Sequence, residues 1–120
     1  MKPQKSALPR LRFSVVALLL MIGLIGCTYV RQSVRPLPNR GVAALDADAI
    51  VLVMQRAGFS DQQILDLGTD LRNTLAVQGA AQIRVGKKTE AIFAVHGHYV
   101  HVSSCQRGSF IYNVETGEIR

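Results

Sequence analysis

Four residues of the kinds that bind metals or act as nucleophiles lie within ten positions of one another: His96, His98, His101 and Cys105. Zinc sites use histidine and cysteine, but their ligands must converge on one point. If residues 98–104 form a strand, His98 and His101 project from opposite faces, and Cys105 lies about 13 Å along the strand from His101. We therefore expect surface histidines and no metal site. A ligand- or metal-binding or enzymatic protein using His98, His101 and Cys105 is the alternative.

Cys105 could also attack an electrophile, but a thiol nucleophile needs an adjacent base, and His101 is the nearest one in the sequence. The serines lack the surroundings of a nucleophile elbow, and the Gly-Lys-Lys at residues 86–88 lacks the spacing of a phosphate-binding loop. The sequence thus predicts no catalytic residue and no cofactor.

These residues belong to a C-terminal region in which apolar and polar residues alternate. The alternation predicts four strands, separated by short segments that each contain glycine, at residues 80–85, 89–95, 98–104 and 109–114. Such short connections require antiparallel neighbours. The region is therefore expected to form an antiparallel meander.

Two helices are predicted before the meander. Asp46 or Asp48 can cap a first helix running to about Ala57, although residues 50–53 would also suit a strand. Ser60 and Gln63 form a capping box for a second helix, which ends near Gly79 and which Gly68 could divide in two. The predicted fold of residues 46–120 is α+β: two N-terminal helices followed by a four-stranded antiparallel meander, in two layers.

The expected hairpin register assigns the strand side chains to two faces. A two-residue turn at His96-Gly97 and a four-residue turn at residues 105–108 place one set on a buried face: Ala91, Phe93, Val95, Val100, Val102 and Ile111. The opposite face is aromatic, with Tyr99, His101, Phe110 and Tyr112 as the candidate partner-contact residues. Alternatively, the linker, the N-terminal helix or the C-terminal Ile119 covers this face.

The N-terminus has the pattern of an export signal. Residues 1–12 are cationic, and residues 13–26 contain 14 residues without a charge. A charged segment before an apolar run of this length is typical of a secretory signal peptide. A membrane-spanning helix needs about 20 apolar residues. The apolar run extends to 18 residues if it continues to Val30, so an uncleaved single-span anchor is the alternative.

The apolar run ends in Leu24-Ile25-Gly26-Cys27, which resembles the lipobox of bacterial lipoproteins. The resemblance covers residues 1–27 only. It implies that the chain is cut between Gly26 and Cys27 and that Cys27 is lipidated and anchors the protein by its acyl chains. The anchor would place the protein on the periplasmic side of the inner or outer membrane, or on the cell surface. Cys105 would then be free or joined to another molecule, because Cys27 is the only other cysteine.

The charge distribution agrees with export. Four of the 14 basic residues precede the apolar run, which leaves ten against eight acidic residues after residue 26 and argues against nucleic-acid binding. Arg31, Arg35 and Arg40 lie in residues 27–45, which read as a flexible tether, and could contact anionic lipids or remain solvated. We expect a lipid-anchored cell-envelope protein that acts without catalysis through contact with a protein partner.

Overall fold

The computed structural model describes residues 31–120, and these form five strands and two helices. Their bounds, in chain order, are β1 Gln32–Pro36, α1 Ala47–Arg56, α2 Asp61–Val77, β2 Ala80–Val85, β3 Lys88–His96, β4 Tyr99–Ser104 and β5 Gly108–Asn113. The predicted α+β class is confirmed. The signal peptide of residues 1–26, cleavage at Gly26, lipidation of Cys27 and the alternative single span all fall outside the described residues.

Strand β1 corrects the predicted architecture, because it precedes the helices and lies within the predicted tether. It pairs antiparallel with β2, and Val34 stands opposite Ile83 and packs against the core. Leu45, also in the predicted tether, is buried. β1 has only five residues and ends at Pro36, which suits an edge strand but weakens the strand signal in the sequence. The folded region therefore begins near Arg31 rather than at residue 46.

The five strands form one antiparallel sheet in chain order, β1 to β5. Helices α1 and α2 connect β1 to β2, and their apolar residues share a core with alternate residues of the strands. The largest side chains that solvent does not reach are Phe93, Met54, Leu71, Leu75 and Ile83. This is the two-layer arrangement of helices on one sheet face. Within residues 31–120, neither helix is long and apolar enough to cross a bilayer.

Local capping signals define where both helices begin. The Asp46 carboxylate accepts a hydrogen bond from the backbone N–H of Ala49 at 2.7 Å. Ser60 and Gln63 form the predicted capping box, each side chain accepting from the other residue's backbone N–H. Helix α2 continues through Gly68 without a break. A methyl group at Gly68 would lie 3.4 Å from Ile50 of α1, so this glycine lies at the contact between the helices.

The turn between β3 and β4 is Gly97-His98 instead of the predicted His96-Gly97. Gly97 adopts a positive φ of 61° and His98 does not, which fits a type II′ turn with glycine at its first central position. Val95 consequently pairs with Val100, and Phe93 with Val102. The register differs from the predicted one by two residues, so the two strands keep their predicted faces and these four side chains are buried.

The turn between β4 and β5 has three residues instead of four, and this difference reverses the faces of β5. Ser104 pairs with Gly108, whose positive φ of 77° closes the turn. Because strand side chains alternate, a shift of one residue moves each of them to the other face. Phe110 and Tyr112 are therefore buried at 7% and 5% exposure, and Ile111 lies on the opposite face. The predicted faces of these three residues were wrong.

The C-terminal segment covers the outer edge of β5. Ile119 forms a β-bridge with Tyr112, and the backbones of Arg120 and Ile111 exchange two hydrogen bonds. This pairing protects one edge of the sheet from association with other strands, while β1 is the other edge.

Candidate functional site

The face of the sheet that points away from the helices is the main candidate for a binding surface; we call it the outer face. The positions that alternate with the buried ones lie on it, together with Thr89, which an irregularity in the pairing of β2 with β3 brings beside Gln82: Ser33, Arg35, Gln82, Arg84, Thr89, Ile92, Ala94, His96, Tyr99, His101, Ser103, Ser109, Ile111 and Asn113. Ile92 is 41% exposed and Tyr99 is 38% exposed. The predicted contact set is thus divided, because Tyr99 and His101 lie on this face and Phe110 and Tyr112 do not.

Two histidines meet on the outer face. The ring centroids of His96 and His101 are 4.9 Å apart, and the rings are almost perpendicular. His96 pairs with Tyr99 and His101 with Ala94, so the two histidines are diagonal neighbours on adjacent strands. The sequence prediction placed His96 in a turn and missed this pair. The position of Gly97 was the signal that could have shown it, because a type II′ turn begins with glycine.

The proposed metal and nucleophile residues are spread along β4. His98 precedes the strand and Cys105 follows it, so they lie at opposite ends, about 23 Å apart along the strand. The His98 Nδ1 atom is 3.1 Å from Glu115 Oε1, and both side chains are mostly exposed, so their interaction contributes little stability. In residues 31–120 no three His, Cys, Asp or Glu side chains are arranged to hold a metal ion. The structure does not assemble the set His98, His101 and Cys105.

A surface hollow of about 660 Å³ lies beside the turn after β3, lined by Pro38, Asn39, Arg40, Gly41, Val95, His96 and Gly97. One of its polar side chains is that of Asn39, whose amide nitrogen lies within 2.9 Å of three backbone carbonyl oxygens, those of Gly41, Gly79 and Val95. An amide group has two protons to donate, and here the backbone accepts them. Asn39 therefore holds the chain between β1 and α1 against the sheet and has no free donor for a ligand.

A smaller apolar groove of about 220 Å³ runs between the two helices, beside Gly68. Val51 and Leu65 line it and are exposed, and Arg72 also lines it. The groove contains no pair of polar groups arranged for acid–base chemistry.

The chain has no match among protein families, among curated proteins or among solved structures.

Proposed function

We propose that this protein is a membrane-anchored lipoprotein of the cell envelope, whose domain acts by protein contact without catalysis. The observation that carries the proposal is the sequence Leu24-Ile25-Gly26-Cys27. Its first three residues are the last of the 14 uncharged residues of the apolar run, so 11 of these precede the motif, and the folded domain begins shortly after it, near Arg31. Cleavage before Cys27 would leave the acyl chains and the domain only a few residues apart. The protein would be exported and held at the periplasmic or outer surface of a membrane.

The outer face supports the contact role. It combines the exposed side chains of Ile92 and Tyr99 with the cationic Arg35 and Arg84. The strand positions named above for this face carry no acidic side chain. Glu90 of β3 lies at an irregularity in the pairing of β2 with β3 and lines a hollow with Ala57 on the helix side. We infer that the partner is a protein surface with apolar groups flanked by carboxylates, since opposite charges favour association and suppress wrong partners. Tyr99, His101 and Ile92 replace the four residues first predicted.

Metabolic labelling with palmitate in a bacterial host tests the anchor. Cys27→Ala is expected to abolish labelling and to release the protein from the membrane fraction, because the thioether to Cys27 is the proposed attachment. Cys105→Ala is the matched control, since it removes the other cysteine, and it should be labelled like the natural protein. Labelling that survives Cys27→Ala would contradict lipidation at this residue. An N-terminus that begins before Cys27 would instead favour the uncleaved span.

Crosslinking in the same labelled cells tests the contact surface. Replacing Ile92 and Tyr99 together by serine is expected to reduce capture of the partner at least about tenfold, since central apolar contacts dominate interface energies. The control replaces Val51 and Leu52 by serine, because these helix residues match the exposure of Tyr99 and Ile92 at 38% and 41%. Equal capture by both double variants would show that the outer face is not the contact surface.

A further inference from the structure

One end of the sheet carries a concentration of basic side chains; we call it the basic end. The start of β1, the turn between β2 and β3 and the turn between β4 and β5 meet there. The backbone N–H of Gly86 donates to Arg31 O at 2.7 Å, and that of Cys105 donates to Glu90 O at 2.9 Å. The basic residues brought together by these connections are Arg31, Arg84, Lys87, Lys88 and Arg107.

Acidic residues offset little of this charge. Glu90 is only 18% exposed and is 3.9 Å from Lys88, and Asp61 at the start of α2 is balanced by Arg56 at the end of α1. The opposite end of the domain carries acidic side chains at the start of α1 and in the segment after β5: Asp46, Asp48, Glu115 and Glu118. The basic end is therefore predominantly positive, whereas at the opposite end these carboxylates are mixed with the basic side chains of Arg35 and Arg40.

The chain enters the domain at the basic end, because Arg31 directly precedes β1. Three residues separate Cys27 from Arg31 in the sequence, and a chain of this length reaches at most about 14 Å. A lipid anchor at Cys27 therefore limits how far Arg31 can move from the bilayer. That limit is roughly one and a half times the Debye length of about 8–10 Å, so Arg31 can come within the distance over which surface charges interact strongly.

We propose that the basic end docks on anionic phospholipid headgroups and holds the strands upright on the membrane. This inference rests on the proposed lipid anchor and adds the orientation of the domain. Each basic side chain near a negatively charged bilayer strengthens binding about fivefold. The end of the domain opposite the basic end then points away from the bilayer. The outer face stands at a steep angle to the membrane, where a protein partner can reach Tyr99 and Ile92.

Cys105 provides a native reporter, because it is exposed in the turn between β4 and β5 at the basic end. In the lipidated protein it is the single free thiol, since the sulfur of Cys27 is in a thioether. The mature protein is inserted into vesicles, and a fluorophore is attached to Cys105. A quencher attached to the lipid headgroups lowers the fluorescence when Cys105 lies close to the membrane. We expect strong quenching in vesicles containing phosphatidylglycerol, little quenching in vesicles of phosphatidylcholine alone, and loss of quenching as salt is raised.

Two triple variants with the same change in net charge identify the surface that docks. Arg31→Gln, Lys87→Gln and Arg107→Gln together are expected to lower the ratio of docked to undocked protein about 100-fold. The control set Arg35→Gln, Arg40→Gln and Arg120→Gln removes three exposed charges outside the basic end and should leave the quenching unchanged.

Two results separate failure of docking from failure of the anchor. The docking alone is overturned if each chain has one labelled thiol and the quenching is equal in the two kinds of vesicle. It is also overturned if the two triple variants lose the same amount of quenching. Two labelled thiols per chain and no retention by vesicles overturn the lipid anchor and the docking with it.

Discussion

The hydroxyl group of Ser104 joins parts of the fold that are distant in the sequence. It donates to the carbonyl oxygen of Ala57 at the end of α1 and accepts from the backbone N–H groups of Gln106 and Arg107. Ser104 is a polar residue buried at 9% exposure. One side chain thus completes the hydrogen bonding of a helix end and of a turn.

Replacing Ser104 by alanine is expected to lower the free energy of unfolding by about 1–3 kcal/mol, because a buried carbonyl and two N–H groups lose their partner. Urea unfolding followed by circular dichroism measures the change. Ser103→Ala is the control, since Ser103 is exposed on the outer face, and its effect should stay within about 0.5 kcal/mol. Similar losses in the two variants would show that the Ser104 hydroxyl has no special role.

Residues with local partners were predictable from the sequence. The cap at Asp46 and the capping box of Ser60 and Gln63 span only three residues each, so their spacing identifies them. Two of the three partners of Asn39 are 40 and 56 residues away, and Ala57 is 47 residues from Ser104. No spacing rule connects residues so far apart, and these two roles became visible only in the folded structure.

At the scale of secondary-structure elements, the contact between α1 and α2 includes a glycine whose backbone conformation does not require glycine. Gly68 lies inside α2 and is buried, and a methyl group there would be 3.4 Å from Ile50 Cγ2 and 3.8 Å from Met54 Sδ. These are ordinary van der Waals distances, so alanine fits with little movement. Glycine in a helix interior costs about 1 kcal/mol relative to alanine.

Gly68→Ala is therefore expected to raise the free energy of unfolding by about 0.5–1 kcal/mol in the same urea experiment. Gly97→Ala is the control, because Gly97 has a positive φ and no neighbour near the added methyl group, and it should lose about 1 kcal/mol. A loss of stability in Gly68→Ala would mean that Ile50 cannot adjust and that the helices require glycine at this contact.

The strands show which part of a sheet the sequence can predict. Alternating apolar residues located β2 to β5, because each of these strands has one buried face. Their register depended on which residue of each turn is glycine, and placing Gly108 in the turn rather than opposite Ser104 reversed the faces of Phe110, Ile111 and Tyr112. β1 was missed because its five residues have little alternation and its partner lies beyond both helices.

At the scale of the whole molecule, β1 determines where the folded unit begins. Val34 and Ala43 pack against the core, Leu45 is buried, and Asn39 holds three backbone carbonyls. A domain that starts at residue 46, as the sequence predicted, lacks all of these contacts and exposes the edge of β2.

A chain that begins at Arg31 is expected to unfold in one cooperative transition. A chain that begins at Asp46 should lose at least about 3 kcal/mol, from the burial of Leu45 and Val34 and from the missing hydrogen bonds. Urea unfolding of both purified chains measures the difference. Equal midpoints would contradict a structural role for residues 31–45 and would restore them as a tether.

The placement of β1 also decides how mechanical force reaches the domain. With the proposed anchor at Cys27, tension would enter at Arg31 and run along β1, and the hydrogen bonds of its five residue pairs with β2 would lie across that pull. In this geometry the hydrogen bonds of the pair bear the load together, and they do not open one after another. Beyond Pro36, the amide of Asn39 fastens the chain to Gly79 and Val95. The sheet itself, and not a flexible linker, is then the element that must resist the force when a partner pulls the protein away from the membrane.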